Sequence, residues 1–90
     1  MTALTEERCR TLIERLCSGL GWNVRPVQGM PYVLFTGEGR WITFGRTWSE
    51  AFACFYDNVR VFAMSPDVPA WTRPCGSPEE LAMKIEVMLP

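Results

Sequence analysis

Ninety residues with a formal net charge of −1 and no histidine make one small domain spanning 1–90, and they argue against a general polyanion binder, whose affinity comes mainly from neutralising phosphates, while leaving room for a local basic patch. At 48% hydrophobic and 21% charged, with four Trp and five Phe, the chain carries enough apolar side chains for a compact core and lacks the composition of a disordered segment. The four cysteines, Cys9, Cys17, Cys54 and Cys75, form no CxxC pair, which disfavours zinc and leaves them as small buried hydrophobes in a reducing compartment.

The first helix is written in the spacing of Cys9, Leu12, Ile13, Leu16, Cys17 and Leu20, a three-four repeat that gathers them on one face. Thr5 is its N-cap, with Glu6 and Glu7 in the first turn, where negative charge meets the helix dipole. Glu6 with Arg10 and Arg10 with Glu14 have the i,i+4 spacing of surface pairs. Gly19 or Gly21 closes the helix. Cys9 and Cys17 then lie about 12 Å apart along the axis, too far to bond each other.

Trp22-Asn23-Val24-Arg25 alternates as a half-buried strand does, and Pro26 places it at an edge or a strand end. Tyr32-Val33-Leu34-Phe35 is a continuous apolar run, expected as the central strand. Gly37-Glu38-Gly39 turns into a third strand, Arg40-Trp41-Ile42-Thr43-Phe44, with one aromatic face left partly uncovered. Thr47-Trp48-Ser49-Glu50 is a capping box. It opens a second helix in which Trp48, Ala51, Phe52, Phe55, Val59 and Phe62 keep helical register, with room to run to Met64. Val59–Phe62 also fits a short strand after a break at Asp57-Asn58; the helix is preferred. Residues 65–76, with Pro66, Pro69 and Pro74 around Trp71, are expected to be irregular and stiff. Ser77-Pro78-Glu79-Glu80 is a second capping box, followed by Leu81, Ile85, Met88 and Leu89 on one face. The expected fold is therefore α+β, in the order α-β-β-β-α-α, with a three-stranded antiparallel meander packed against helices and the stretch Tyr32–Tyr56 as its organising unit.

Chemistry is sparse. Lysine occurs once, at Lys84, and no Ser or Cys stands near an evident base, so a nucleophile lacks its usual activation. Glu38 and Glu50 read as a turn residue and a capping residue rather than a catalytic pair. Gly37-Glu38-Gly39 joins two strands, whereas a phosphate loop opens a helix. No catalytic residue, metal or cofactor is expected. Arginines alternate with aromatics at Trp22/Arg25, Arg40/Trp41, Arg46/Trp48 and Trp71/Arg73, a pairing that can stack on unpaired bases. An RNA- or single-strand-binding module is accordingly the second reading. Arginine outnumbers lysine eight to one, and Trp, Met and Arg are enriched in protein–protein interfaces while Lys is depleted.

In outline the α-β-β-β-α order resembles the double-stranded-RNA-binding domain. That family opens its second helix with a lysine cluster, where this chain has Arg46-Thr47-Trp48-Ser49-Glu50. The hairpin followed by Gly45-Arg46-Thr47-Trp48-Ser49-Glu50-Ala51-Phe52 is similar to small phage-encoded proteins and to HicB-type antitoxins, whose strands lead into a T-x-x-E-A helix. The expected function is a small non-enzymatic protein-binding module. The phage resemblance implies a phage or mobile-element inhibitor or adaptor of a larger bacterial complex. Its partner surface is expected at Trp71 and Arg73, on a loop whose prolines hold it near its bound state, together with Arg40, Trp41 and Arg46. The competing reading folds Trp71 inward over the sheet and second helix. Edge strands predict a homodimer. No signal peptide or membrane-length apolar run is read, and a cytoplasmic location is expected.

Overall fold

The computed structural model describes residues 4–24, 32–35, 42–62 and 68–89. The first helix, α1 (Glu6–Leu20), starts where the sequence places it: Thr5 Oγ1 accepts the Arg8 N–H at 3.1 Å. It ends at Gly21, whose φ of 73° is the left-handed conformation that a side chain disfavours. Its apolar stripe buries Cys9, Leu12, Ile13 and Leu16.

Three strand segments follow, β1 (Asn23–Val24), β2 (Tyr32–Phe35) and β3 (Ile42–Gly45), paired antiparallel in the order β1-β2-β3. Asn23 lies opposite Phe35, and Phe35 opposite Ile42; at the other end Tyr32 faces Gly45. The Gly37-Glu38-Gly39 turn and the expected strand residues Arg25, Arg40 and Trp41 lie outside the described residues. Trp22, expected inside the first strand, precedes it and is buried, its ring meeting Phe55 edge-on at 5.5 Å. The two residues of β1 are both exposed.

Thr43 and Gly45 are buried under the second helix while Phe44 between them is exposed, the alternation a strand dictates. Helix α2 (Trp48–Val61) begins three residues after β3 with Thr47 as N-cap, its hydroxyl accepting the Glu50 N–H at 3.1 Å. The helical reading of Val59–Val61 holds, and the helix closes with Phe62 as C-cap. Asn58, where the alternative strand reading placed a break, stays within it and donates its side-chain amide to the buried Thr43 hydroxyl at 2.9 Å. That bond satisfies two polar groups that packing would otherwise strand. Helix α3 (Pro78–Met88) has Ser77 as N-cap, accepting from Glu80 N at 3.1 Å, and proline in its first turn.

One core joins the three helices. Among the described residues, Cys9, Leu12, Ile13 and Leu16 of α1 meet Ala51, Phe52, Phe55 and Val59 of α2 and Leu81, Ala82 and Ile85 of α3, and Trp22, Val68 and Leu89 join them. Each large side chain so buried contributes about 1.5–3 kcal/mol. Arg8 forks onto the Glu86 carboxylate, at 2.8 Å through Nη2 and 3.4 Å through Nε, and Arg15 donates to the Glu86 and Leu89 carbonyls at the end of α3. Both tie α1 to α3.

The expected fold class does not survive this distribution. Among the described residues the helices hold 15, 14 and 11 residues and the strands two, four and four. The described part of the protein is therefore mainly helical, with short strands paired antiparallel in sequence order, and is not an α+β domain built on that meander. The densest packing joins β3 to α2 within the stretch Tyr32–Tyr56, and the helices supply most of the described core. Sequence periodicity reports which residues are apolar, not which surfaces meet, and α1 and α3 bury their faces largely against helical neighbours. Two smaller expectations are corrected as well. The proline-rich segment contains a 3₁₀ turn, Ala70–Thr72, and Met88, expected in the core, is half exposed.

Candidate functional site

Helix α3 has two apolar sides. Leu81, Ala82 and Ile85 face the core, while Met83, Val87 and Met88 are 60%, 81% and 50% exposed. Trp71 lies against this outer side: with Glu80, Met83, Lys84, Val87 and Met88 it lines a groove of about 240 Å³. The ring is partly buried and packed against the edge of the core. It is thus not fully presented on a projecting loop, and its packing against the core accords in part with the inward reading. The turn that carries it is fixed by the Thr72 hydroxyl, which is buried and donates to the Pro69 carbonyl at 2.6 Å, and by the Lys84 ammonium, which donates to the Pro74 carbonyl. A contiguous surface of Trp, two Met and Val beside charged Glu80 and Lys84 has the composition of a protein-docking surface.

Arg73, two residues on, points to a different cleft. It lines a space of about 270 Å³ with Val59, Arg60, Pro74 and Cys75. Trp71 and Arg73 thus occupy two sides of one turn. Arg46 is exposed at the start of α2, its backbone N–H bound to the Glu50 carboxylate at 2.8 Å. It stands about 20 Å along the α2 axis from the Arg60 end, so the structure does not bring it to Trp71 and Arg73. Arg40 and Trp41 lie outside the described residues.

A third charged locus joins α1 to α2. The Glu6 carboxylate accepts the Trp48 and Ser49 N–H groups, each at 2.9 Å, which are two of the four donors a helix start leaves unpaired. Hydrogen bonds from Ser49, foremost its side chain, hold the Glu6 carboxyl below the ordinary carboxylate range. Arg10 pairs with Glu14 at 3.1 Å and lies 5.9 Å from the Trp48 ring centre. Glu6 therefore works as a cap for α2 rather than as the surface partner of Arg10.

The chemistry available elsewhere is limited. All four cysteines are free thiols. Burial pushes the Cys17 thiol up to about 11 and also raises those of Cys9 and Cys75, so these three stay protonated and weakly nucleophilic at neutral pH. Among the described residues no group of His, Cys, Asp and Glu is placed to hold a metal ion, and no described helix is long and apolar enough to cross a membrane.

Sequence reasoning missed Met83, Val87 and Arg60. The signal for the first two was present as a second i,i+4 apolar pair on α3, opposite the stripe through Leu81 and Ile85. Arg60 had no signal of its own, because its meeting with Arg73 depends on how α2 and the segment before α3 pack. Comparisons with protein-family models, curated proteins and solved structures return no match.

Proposed function

We propose that this is a small non-enzymatic protein-binding module, acting in the cytoplasm as an inhibitor or adaptor of a larger bacterial complex. The observation that carries the reading is the outer face of α3. Met83, Val87 and Met88 are each at least half exposed beside a partly exposed Trp71, on a chain too small to leave apolar side chains outside its core without consequence. Methionines adapt to varied partner shapes, and tryptophan supplies anchor area. The resemblance of residues 45–52 to phage-encoded accessory proteins suggests the kind of partner, a bacterial assembly. Four free thiols suit a reducing compartment.

The cations favour this reading over nucleic-acid binding. Arg8 holds Glu86, Arg15 donates to carbonyls at the end of α3 and Lys84 donates to Pro74. Three of the nine Lys and Arg side chains are thus engaged in ties within the protein, whereas a phosphate-tracking surface needs its cations turned outward together.

Affinity capture from a bacterial lysate with the full chain, repeated with Val87→Glu, tests the proposal. Val87 is the most exposed of the stripe, so the substitution should leave the urea midpoint unchanged and abolish recovery of a protein partner. Trp71→Ala should weaken binding of that partner by about 2 kcal/mol or more, the hot-spot scale. Equal recovery by wild type and Val87→Glu, or recovery of nucleic acid alone, would refute it.

A further inference from the structure

We propose that the cleft between the last turn of α2 and the segment leading into α3 is a carboxylate-binding site, which takes an acidic side chain of the protein partner. The source of the carboxylate rests on the protein-binding reading above; the site itself rests on geometry. Two guanidinium-bearing residues from separate elements line one space of about 270 Å³: Arg60 from α2 and Arg73 from the end of the 3₁₀ turn, with Val59, Pro74 and Cys75 as further walls among the described residues. That volume falls below the roughly 300–1,000 Å³ of small-molecule and cofactor sites, and it suits one side chain entering from outside.

Arg60 is restrained at its guanidinium and Arg73 at its backbone before any ligand arrives. The Arg60 guanidinium lies 5.5 Å from the centre of the Tyr56 ring, which restricts its swing. Arg73 follows a backbone fixed from below: its N–H donates to the Ala70 carbonyl at 3.2 Å, and its neighbour Thr72 is fully buried. Arg60 also meets Asp57 at 3.5 Å, with the two side chains 58% and 62% exposed. A pair so wetted contributes little, so an incoming carboxylate replaces Asp57 at small cost. The carboxy end of α2 adds about half a negative charge nearby, which two full guanidinium charges outweigh. A planar carboxylate matches the guanidinium fork in two parallel hydrogen bonds. Since the turn presents Trp71 on its other side, one partner segment crossing it meets an apolar groove and then two arginines.

The experiment follows the arginine Nε–H signals of the ¹⁵N-labelled full chain while sodium acetate is added, with sodium chloride at equal ionic strength as the reference. Saturable shifts at Arg60 and Arg73 are expected at millimolar acetate. Arg60→Gln and Arg73→Gln should each bind about tenfold more weakly, Arg60→Lys should fall between, and Arg46→Gln should match wild type. A linear response without saturation, or undiminished affinity in both Gln variants, overturns the site. Tighter saturation of the same signals by inorganic phosphate or a short single-stranded oligonucleotide overturns the carboxylate assignment. A captured protein partner that binds both Gln variants as it binds wild type removes this site and leaves the protein-binding reading standing. Acetate binding without any protein partner does the reverse.

Discussion

Gly45 carries the shortest link between the strand segments and the helical core, and replacing it by alanine tests how rigid that link is. A Cβ at this position would sit 2.7 Å from the Glu50 carbonyl carbon and 2.8 Å from its Cβ, and closer still to the Ala51 nitrogen. These atoms are not flexible side-chain ends. They belong to the first turn of α2, which is held by the Ala51 N–H donating to the Thr47 carbonyl at 3.0 Å, by the Thr47 hydroxyl, and by Glu6. Relieving the overlap means displacing that turn and loosening at least one cap. Overpacking costs about 1–3 kcal/mol and a weakened N-cap about 1 kcal/mol. Against this stands a gain of about 0.4–1 kcal/mol from reducing the freedom of the unfolded chain. The net expectation is a loss of about 1–3 kcal/mol out of the roughly 5–13 kcal/mol available to a domain of this size. In urea, with a slope of about 1 kcal/mol/M, the midpoint should fall by about 1–3 M. Gly19→Ala is the comparison: there the contact is the Leu89 Cδ2 methyl at 2.8 Å, a side-chain end rather than backbone, whose shift within the core is set against a helix-propensity gain of about 1 kcal/mol. Its midpoint should move little. An unchanged or raised midpoint for Gly45→Ala would show that the junction yields and that the reasoning is wrong.

Acid should loosen α1 from both α2 and α3. The Glu6 and Glu86 carboxyls both lie below their ordinary value, held mainly by Ser49 and by Arg8 respectively, so the stability they supply is present above the unfolded value near 4.5 and is lost as pH falls through the lower folded values. Glu6→Gln should flatten part of that acid limb in denaturation followed from pH 7 to pH 3, and a wild-type-sized drop in the variant would contradict the Glu6 cap. Thr47→Ala and Ser77→Ala should each cost about 1 kcal/mol, read as lower urea midpoints, because each hydroxyl accepts a first-turn N–H. Self-association is expected through surface that includes the exposed Phe44, and sedimentation that finds only monomer at high micromolar concentration would end that idea.

Some features were legible in the sequence because they depend on residues a few positions apart. Thr5, Thr47 and Ser77 mark helix starts, Gly21 was one of two candidate stops for α1, and the three-four repeats of α1 and α2 name the faces they bury. All of these express local hydrogen bonding and helical geometry. Trp71 and Arg73 were also visible, as chemistry suited to binding. What the sequence could not say is which apolar surface each element would meet. The apolar runs around Tyr32 and Ile42 signalled strands but not their minor share of the described residues, since strand pairing and helix packing compete for the same side chains and the outcome is set by the whole core. The same holds for the site. Glu6 leaves Arg10 for the start of α2, Trp71 settles on α3, and Arg60 comes to share a cleft with Arg73. Each of these meetings joins residues far apart in the chain, and only the packing of the three helices brings them together.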